Sequence, residues 1–398
     1  ADTMTALEDL AIAARSRSQA RIIAITGSVG KTSTKEALKL AFDATVDNGS
    51  MVCATKGNLN NHLGLPLSLA QLPSDAAYGV FEMGMNHGGE ISPLSRMVRP
   101  HVAVITNVAD THSEYFGSLD QIADAKAEIF EGLTADGVAI LNRDNSMFQR
   151  LSIAAHNAGV NHVCSFGSVQ GADCRLVDMK LGPNGSVVTA EIDGERFVYS
   201  LGAPGRHLVI NSLAVLCTLH SVGADVVAGV DALAKFTGLK GRGKRHKIDL
   251  GSGTFELIDE SYNASPASMV AAIEVLAASK PEGGGKKIAI LGDMLELGTK
   301  SETLHAALVE PLTQGETGLV FTVGQFMSAL WDVLPVNIRG GHSKTVENLI
   351  PMIATSIEPG DIVMVKGSLG SRMYSVVDAL LRQNKEGMRS FPHMVKGG

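Results

Sequence analysis

Short apolar runs alternate with longer helix-forming segments over most of the 398-residue chain. Each run is short enough to be a buried strand, and each intervening segment is long enough to be a helix. Strands that alternate with helices predict parallel sheets covered on both faces, so the fold class is α/β. The runs lie at 22–26, 79–83, 102–106, 138–141, 255–259, 287–291, 318–323 and 361–365.

The middle of the chain breaks this pattern. Residues 161–201 alternate apolar and polar positions and contain the turn signals PNG and DG, which predicts a small antiparallel patch. A long helix is predicted at about 208–222. The basic, glycine-punctuated stretch LKGRGKRHK at 239–247 then interrupts the pattern before a new series of strands and helices begins.

We therefore predict a domain boundary within this basic stretch, since a chain of this length exceeds one ordinary hydrophobic core. Residues 21–240 would form a central domain with a mostly parallel sheet, and residues 241–398 a Rossmann-like α/β domain. Residues 1–20 would form a linker helix that leads into the first strand.

Composition excludes several classes of function. A hydrophobic content of 45% with 19% charged residues is typical of a soluble globular protein. The formal net charge of -7 argues against nucleic acid or an anionic membrane surface as a partner. No apolar run approaches the roughly 20 residues of a membrane span. The four cysteines lack zinc-type spacing and read as reduced thiols, which fits a cytoplasmic protein.

The stretch TGSVGKTST at 26–34 follows the first strand and precedes a helix. A glycine loop in this position directs backbone N–H groups and the positive end of a helix dipole at one small volume, which suits a phosphate. Lys31 would face the outer phosphates, and the hydroxyl of Thr32 would bind magnesium. The predicted nucleotide contacts are Gly27, Ser28, Gly30, Lys31, Thr32 and Ser33.

The loop departs from the usual P-loop pattern at one position, where Ile25 replaces the first glycine. The alternative is a glycine turn between strand and helix with a solvated lysine. The strand and helix on either side favour nucleotide binding, so the prediction is ATP or GTP.

Polar side chains follow the next two strands, where ligands bind in open parallel sheets. Glu82 ends the second predicted strand, and His112 follows the third. With Thr32 they would form a magnesium site, although magnesium tolerates few nitrogen ligands. Taken alone, Glu82 is equally a helix-cap or surface carboxylate, and His112 a hydrogen-bonded loop histidine.

Lys126 lies on the helix SLDQIADAKAEIFEGL. Its helical neighbours Ile122, Ile129 and Phe130 are apolar, so the residues alone predict a lysine at the edge of a buried stripe with its ammonium in water. In the second half, Asp259 ends a strand and Asn263 lies in the loop before the next helix.

Nine motifs together resemble the Mur ligases, in the order expected of that family and over nearly the whole chain. They are TGSVGKTSTKE, KGNLNNHLGLPLSL, FEMGMNHGGEI, THSEYFGS, AKAEIF, LNRDN, GRHLVINSLAV, DESYNASPASM and LGDMLELG. The resemblance implies an ATP-dependent ligase with a central P-loop domain. Within the family, EMGxNHxGEI and YNASPxSM imply the branch that adds D-Ala-D-Ala to UDP-MurNAc-tripeptide in peptidoglycan precursor synthesis. The tripeptide carboxylate would take the γ-phosphoryl group, and the dipeptide amine would then displace phosphate from the acyl phosphate.

The resemblance also assigns roles to individual residues. It implies Mg²⁺ held by Thr32, Glu82 and His112, with Lys126 carbamylated so that an anion replaces the ammonium. His207 and Asn211 match positions near the ATP base. Arg242 and Asp259 match interdomain residues that contact nucleotide phosphate and ribose, with Arg245 as the alternative arginine. Asn263 matches a position near the adenine or the dipeptide.

One departure from the family is large. Its members carry an N-terminal domain that grips the UDP-sugar, whereas about twenty residues precede the phosphate loop here, so the expectation is a ligase lacking that domain. The alternatives are a related ligase of different amine specificity and a catalytically idle nucleotide-binding protein. We expect a monomer with mobile domains in the bacterial cytoplasm.

Overall fold

The computed structural model describes residues 2–46, 51–110 and 114–386. The chain divides into two compact units, Ala1–Thr237 and Gly238–Gly398. Each unit is an α/β fold with its own sheet, so each is described by itself.

The first unit is built on a nine-stranded sheet in the order β2-β3-β1-β4-β5-β6-β7-β8-β9. Strands β1 to β6 are parallel, as expected for short buried runs separated by helices. The strands are β1 (Arg21–Thr26), β2 (Met51–Ala54), β3 (Ala76–Glu82), β4 (Val102–Ile105), β5 (Val138–Asn142), β6 (His162–Gly167), β7 (Cys174–Leu181), β8 (Ser186–Ile192) and β9 (Glu195–Leu201).

Helices cover both faces of this sheet because its strands are apolar on both faces. Along β1, Ile23 and Ile25 join one core while Ile22 and Ala24 join the other. The helices are α1 (Thr3–Arg17), α2 (Lys31–Asp43), α3 (Gly64–Ala70), α4 (Ile91–Val98), α5 (Leu119–Ala127), α6 (Phe148–Asn157), α7 (Arg206–Ser221) and α8 (Val226–Ala232), with 3-10 turns at Glu128–Gly132 and Leu233–Lys235. The helices α2 and α7 contribute to the first core, and α1, α3, α4, α5 and α6 to the second.

The antiparallel patch predicted for 161–201 is smaller than expected. Strands β7, β8 and β9 are antiparallel, but β6 pairs with β5 in parallel register. The reason is that β6 follows helix α6 and enters the main sheet by an ordinary helix crossover. The helix predicted at about 208–222 is α7, which begins two residues earlier and ends one residue earlier.

The N-terminal segment packs as part of the first unit. Helix α1 is capped by the side chain of Asp2 and buries Ala11, Ala14 and Arg15. The Arg15 guanidinium donates to the carbonyl oxygens of Val98 at 2.7 Å and Arg99 at 2.9 Å, so it satisfies the last turn of α4. Across the described part of the chain, every helix falls short of the length and apolar character needed to traverse a lipid bilayer.

The second unit is built on a six-stranded sheet in the order β10-β11-β15-β12-β13-β14, parallel except for the β10–β11 pair. Its strands are β10 (Lys244–Asp249), β11 (Thr254–Glu260), β12 (Lys287–Gly292), β13 (Leu319–Val323), β14 (Arg339–Ser343) and β15 (Ile362–Lys366). The helices are α9 (Pro266–Ala278), α10 (Ser301–Ala306), α11 (Val309–Gln314), α12 (Met327–Val333), α13 (Val346–Ala354) and α14 (Tyr374–Glu386), with 3-10 turns at Gly298–Lys300, Val336–Ile338 and Leu369–Ser371. Four of the nine residues in the basic stretch 239–247 are therefore strand.

Candidate active site

The loop between β1 and α2 has the conformation of a phosphate-binding loop. Gly30 lies in the left-handed region with φ 89°, and Gly27 has φ 150°. A Cβ atom on Gly27 would lie 2.0 Å from the hydroxyl oxygen of Thr106, and one on Gly30 would lie 2.8 Å from Nδ2 of Asn211. Both positions therefore require glycine, for close packing as well as for backbone conformation.

The loop is fastened to the segment that follows β4. The backbone N–H of Ser28 donates to the carbonyl of Asn107 at 2.8 Å, and the Ser28 hydroxyl exchanges hydrogen bonds with the backbone of Ala109. The Thr106 hydroxyl donates to the carbonyl of Val29 at 2.6 Å. Ser28, predicted as a nucleotide contact, uses both its N–H and its hydroxyl to hold the loop.

Lys31 bends back over the loop from the first turn of α2. Its Nζ donates to the carbonyl of Gly27 at 2.5 Å and to that of Ser28 at 3.5 Å. Thr32 and Ser33 are half-buried in the same helical turn. The arrangement puts one ammonium and two hydroxyl-bearing residues at the start of a helix, where the dipole favours an anion.

Glu82 ends β3 directly beside this loop, since it pairs with Ile25 of β1. The side chain is buried, with 1% exposure. Its Oε1 accepts from Nδ2 of Asn60 at 2.7 Å, but Oε2 has no hydrogen-bond partner among the described residues. A buried carboxylate oxygen without a partner costs stability, so its presence here indicates a ligand position.

Lys126, at the end of α5, is buried with 2% exposure, which differs from the solvated ammonium expected from the residues alone. The described residues form no hydrogen bond to its Nζ. Burial, together with the nearby charge of Lys31, lowers the pKa of Lys126 well below its usual value. Two residues further on, the Glu128 carboxylate accepts from three backbone N–H groups around the start of α4, which anchors the end of α5.

The predicted metal ligands are only partly described. His112 lies outside the described residues. In the described ranges, no three His, Cys, Asp or Glu side chains lie together as a metal site would need. Oε2 of Glu82 and the hydroxyl of Thr32 are oxygen ligands of the kind that Mg²⁺ prefers, whereas an ammonium at Lys126 would repel the cation.

Helix α7 brings two further predicted residues to the loop side of the first unit. His207 and Asn211 are four residues apart and share one face of the helix. The Asn211 amide packs against Gly30, so α7 contacts the phosphate loop directly. His207 is exposed.

In the second unit, Asp259 is buried with 1% exposure and fully bonded. Its Oδ2 accepts from the N–H of Gly241 at 2.8 Å, and its Oδ1 accepts from the N–H and hydroxyl of Ser261 at 3.1 and 2.6 Å. The carboxylate thus holds the turn that carries Arg242, whose guanidinium lies 4.2 Å from the ring centre of Tyr262.

The two candidate arginines differ in their surroundings. The two terminal nitrogens of Arg245 are committed to a salt bridge with Glu256 at 2.8 Å and a hydrogen bond to Ser279 at 3.2 Å, while its Nε has no partner in the described structure. Within the described residues, the Arg242 guanidinium lies over the Tyr262 ring and forms no salt bridge or side-chain hydrogen bond. The geometry therefore favours Arg242 over Arg245 as the residue that a ligand can engage. The Asn263 side chain accepts from the N–H of Ala264 at 2.9 Å.

Two groups of buried and half-buried residues were not predicted as site residues. Lys366 ends β15, donates to the carbonyl of Asn263 at 3.0 Å and pairs with Glu260 at 3.4 Å. In the first unit, Asn60 contacts Glu82, and Lys35 binds the loop that contains Asn60. A sequence signal existed for Asn60, since it lies in the motif KGNLNNHLGLPLSL, but nothing in that motif indicates which side chain it would meet.

Comparisons with known proteins agree over both units. The sequence profile of the Mur ligase middle domain matches residues 25–219, and that of the Mur ligase glutamate ligase domain matches residues 245–369. The UDP-N-acetylmuramoyl-tripeptide--D-alanyl-D-alanine ligase of Rickettsia prowazekii is 36% identical over 377 residues, which cover 95% of this chain and 82% of that protein.

Solved structures agree as well. The structure of MurF from Acinetobacter baumannii superposes with a TM-score of 0.85 at 31% identity and covers 96% of this chain and 81% of that one. The structure of MurF ligase from Thermotoga maritima in complex with ADP superposes with a TM-score of 0.82 at 26% identity and covers 97% and 85% of the two chains.

Proposed function

Since the chain belongs to the Mur ligase family, we propose that it uses ATP to join D-Ala-D-Ala to UDP-MurNAc-tripeptide in peptidoglycan precursor synthesis. The Rickettsia relative is named for that reaction, and the Thermotoga structure holds ADP. The observation that carries the proposal is the buried, unpartnered Oε2 of Glu82, which lies at the strand end beside a phosphate-type loop. A nucleotide site with a metal-binding carboxylate accounts for both features.

In this proposal the first unit performs the phosphoryl transfer. The loop Gly27–Gly30 and the ammonium of Lys31 hold the outer phosphates and spread the charge of the transferring group. The tripeptide carboxylate attacks the γ-phosphorus, ADP leaves, and an acyl phosphate forms. The dipeptide amine then attacks the acyl carbon and displaces phosphate, with loss of one proton from nitrogen. Ser28 supports the loop, while Thr32 and Ser33 face the phosphates.

Mg²⁺ fits the oxygen donors that the site offers. Oε2 of Glu82 and the hydroxyl of Thr32 would hold it, and His112 is a further proposed ligand. The cation would supply charge neutralisation at the phosphates. The residues themselves provide a fixed carboxylate on a buried strand end and a hydroxyl at the start of a helix.

We propose that Lys126 is carbamylated. A carbamate forms when a neutral amine adds to carbon dioxide and loses a proton, and the lowered pKa of Lys126 favours the neutral amine. The resulting anion would attract the charge of Lys31 instead of repelling it. Burial with no hydrogen bond from the described residues is costly for an ammonium, so the modification also resolves an unfavourable arrangement.

The remaining predicted residues are proposed to contact other parts of the nucleotide or the dipeptide. His207 and Asn211 share a face of α7, and Asn211 already touches the phosphate loop. Arg242 has the guanidinium best suited to contact a phosphate, and Asp259 holds the turn that presents it. Asn263 is proposed to contribute near the adenine or the dipeptide.

We further propose that residues 21–240 act as the ATP-binding domain and residues 241–398 as a Rossmann-like domain, preceded by the helix within residues 1–20. The ATP-dependent step and the nucleotide-linked substrate are consistent with a cytoplasmic enzyme. We expect a monomer, which light scattering coupled to size exclusion would measure.

The test is product formation. The protein is incubated with Mg-ATP, UDP-MurNAc-tripeptide and D-Ala-D-Ala, and the pentapeptide product is read by mass, with ATP binding titrated on the same sample. Phosphate release is compared for D-Ala-D-Ala, L-alanine, D-glutamate and diaminopimelate. Greater release with another amine would overturn the amine assignment, and ATP binding without release for any amine would favour the idle nucleotide-binding protein. Lys31→Met is the control that should lose turnover.

A further inference from the structure

We propose that Asn60 is a positioning residue for Glu82, which turns the carboxylate so that Oε2 alone faces the cation. The inference rests on the proposed function, because the cation is the one that would accompany ATP. Asn60 and Glu82 both belong to the first unit, and their side chains form a direct hydrogen bond.

The contact divides the two carboxylate oxygens of Glu82 between two tasks. Nδ2 of Asn60 donates to Oε1 at 2.7 Å, while Oε2 is left without a partner in the described structure. An amide donor suits this purpose because it is neutral. A lysine or arginine in its place would cancel the charge that attracts a cation, whereas asparagine fixes the carboxylate and leaves its charge intact.

Asn60 is itself attached to the same strand end at a second point. Its carbonyl accepts from the N–H of Gly84 at 2.8 Å, two residues after Glu82. A Cβ atom on residue 84 would lie 2.9 Å from Oδ1 and 3.1 Å from Nδ2 of Asn60. Gly84 therefore provides the space that the Asn60 side chain fills. With the backbone and the side chain both bonded to residues 82–84, the amide has a fixed direction.

The loop that carries Asn60 is tied to the phosphate-loop helix. Lys35, one helical turn after Lys31, is fully buried, and its Nζ donates to the carbonyls of Thr55 at 2.7 Å and Gly57 at 3.3 Å. The Thr55 hydroxyl accepts from the N–H of Glu82 at 3.1 Å. The helix that begins at the phosphate loop thus also sets the position of the carboxylate. Rigid supports of this kind hold ligands in place before the metal binds.

The experiment uses Mn²⁺ as a spin probe for the cation. Free Mn²⁺ is measured by electron paramagnetic resonance in the presence of the protein and a non-hydrolysable ATP analogue. We expect Asn60→Ala to weaken Mn²⁺ affinity by about 10- to 100-fold, the usual effect of removing a residue that orients a metal ligand. Gly84→Ala is a second variant that keeps both functional groups and displaces the Asn60 side chain, and we expect a loss in the same direction.

Asn61→Ala is the matched control, since it makes the same change in the next residue. Oδ1 of Asn61 accepts from the N–H groups of Leu63 at 3.2 Å and Gly64 at 2.9 Å, so it supports the turn that leads into α3 and forms no hydrogen bond with Glu82. We expect this variant to unfold at a lower temperature while Mn²⁺ affinity stays within about twofold of the parent, because the lost hydrogen bonds support the turn and not the Glu82 carboxylate.

A double variant separates positioning from general loosening of the fold. Once Glu82→Gln has removed the charged ligand, adding Asn60→Ala should weaken Mn²⁺ binding by less than about twofold, because Asn60 acts on the cation only through the Glu82 carboxylate. Independent, additive losses would contradict the proposal, as would unchanged Mn²⁺ affinity in both Asn60→Ala and Gly84→Ala. In those cases the ligase function would stand. A parent protein without nucleotide-dependent Mn²⁺ binding would overturn both the inference and the proposed function.

Discussion

Each unit buries a carboxylate at the end of a strand, together with a buried lysine. The two units differ in the hydrogen-bond and salt-bridge partners that they give these groups. In the second unit Asp259 accepts three hydrogen bonds, and Lys366 is paired with Glu260. In the first unit Oε2 of Glu82 has no partner in the described structure. Nζ of Lys126 donates no hydrogen bond to the described residues, and its charged neighbour is Lys31.

This difference separates groups that support a fold from groups held ready for a ligand. A buried polar group without a partner costs about 1–3 kcal/mol, so folding alone gives no reason to keep one. Burial lowers the pKa of Lys366 as it does that of Lys126, yet Glu260 acts in the opposite direction on Lys366. The neighbour of Lys126 is instead another cation. The carboxylates and lysines of both units are buried. They differ in the side chains and backbone groups that surround them.

The largest effect is expected from a change at Lys126. Lys126→Ala should lower ligation by about 10³-fold, the scale on which loss of one charge-stabilising group acts, while ATP binding stays measurable. Carbon-13 NMR of the parent protein in labelled bicarbonate should show a carbamate signal that the variant lacks. Lys366→Ala is the matched control and should leave that signal in place. Unchanged ligation by Lys126→Ala would end the carbamate proposal.

Two isosteric changes test the carboxylates directly. Asp259→Asn places an NH₂ group against a backbone N–H or the Ser261 hydroxyl and should lower the free energy of unfolding by about 2 kcal/mol. Glu82→Gln removes a buried charge that lacks one partner and should raise the free energy of unfolding of the ligand-free protein by about 1 kcal/mol. Urea unfolding with hydrogen exchange read by mass locates each effect. Effects of the same sign would show that the two carboxylates are alike.

In the second unit, Arg242 and Arg245 are expected to differ in their effects on ATP binding and on stability. Arg242→Ala should weaken ATP binding about tenfold with little change in stability, because a guanidinium over an aromatic ring is free to bind a phosphate. Arg245→Ala should leave the ATP dissociation constant unchanged and lower stability, because it breaks the salt bridge to Glu256. Isothermal titration and thermal unfolding measure both variants. The reverse result would move the nucleotide contact to Arg245.

The smallest expected effect is a loss of stability at acidic pH, which we expect in both units. Burial, followed by the neighbouring arginine charges, lowers the pKa of His101 from 6.5 to about 4, and its Nδ1 accepts from the N–H of Ile22. The unfolded chain therefore takes up a proton below pH 6.5 that the folded protein refuses until about pH 4. The contribution of neutral His101 to the free energy of unfolding is fully present above pH 6.5. It decreases as the pH falls from 6.5 to about 4, by about 1 kcal/mol for this half-buried group.

His305 provides the same test in the second unit, where burial lowers its pKa and its Nε2 accepts from the N–H of Met294. Thermal unfolding from pH 7 to pH 4.5 should show the loss. His101→Gln keeps a hydrogen-bond acceptor but does not titrate. The unfolding temperature of this variant should therefore depend less on pH than that of the parent. An unchanged slope in that variant would assign the acid sensitivity to other groups.

The sequence by itself determined the α/β class and most of the parallel strands, because apolar runs and helix lengths are local signals. It also placed Glu82 and the phosphate loop at strand ends. Strand β14, with the sequence RGGHS, was not predicted because it contains none of the residues that favour strands. Strand β2 was also not predicted, since its four residues are too few to give a clear pattern. Strand β6 was assigned to the wrong pairing, because alternation alone does not reveal which neighbour a strand will meet.

Tertiary structure alone decided which of the candidate residues are satisfied. Asp259 and Glu82 look alike in sequence, but one meets Gly241 and Ser261 while the other meets a single amide from Asn60. Ser261 is two residues from Asp259 along the chain, but Gly241 is 18 residues from Asp259 and Asn60 is 22 residues from Glu82. Packing likewise buries Lys126 without giving its Nζ a hydrogen-bond acceptor among the described residues. Whether a polar group has a partner depends on contacts between distant segments, which no local pattern of residues contains.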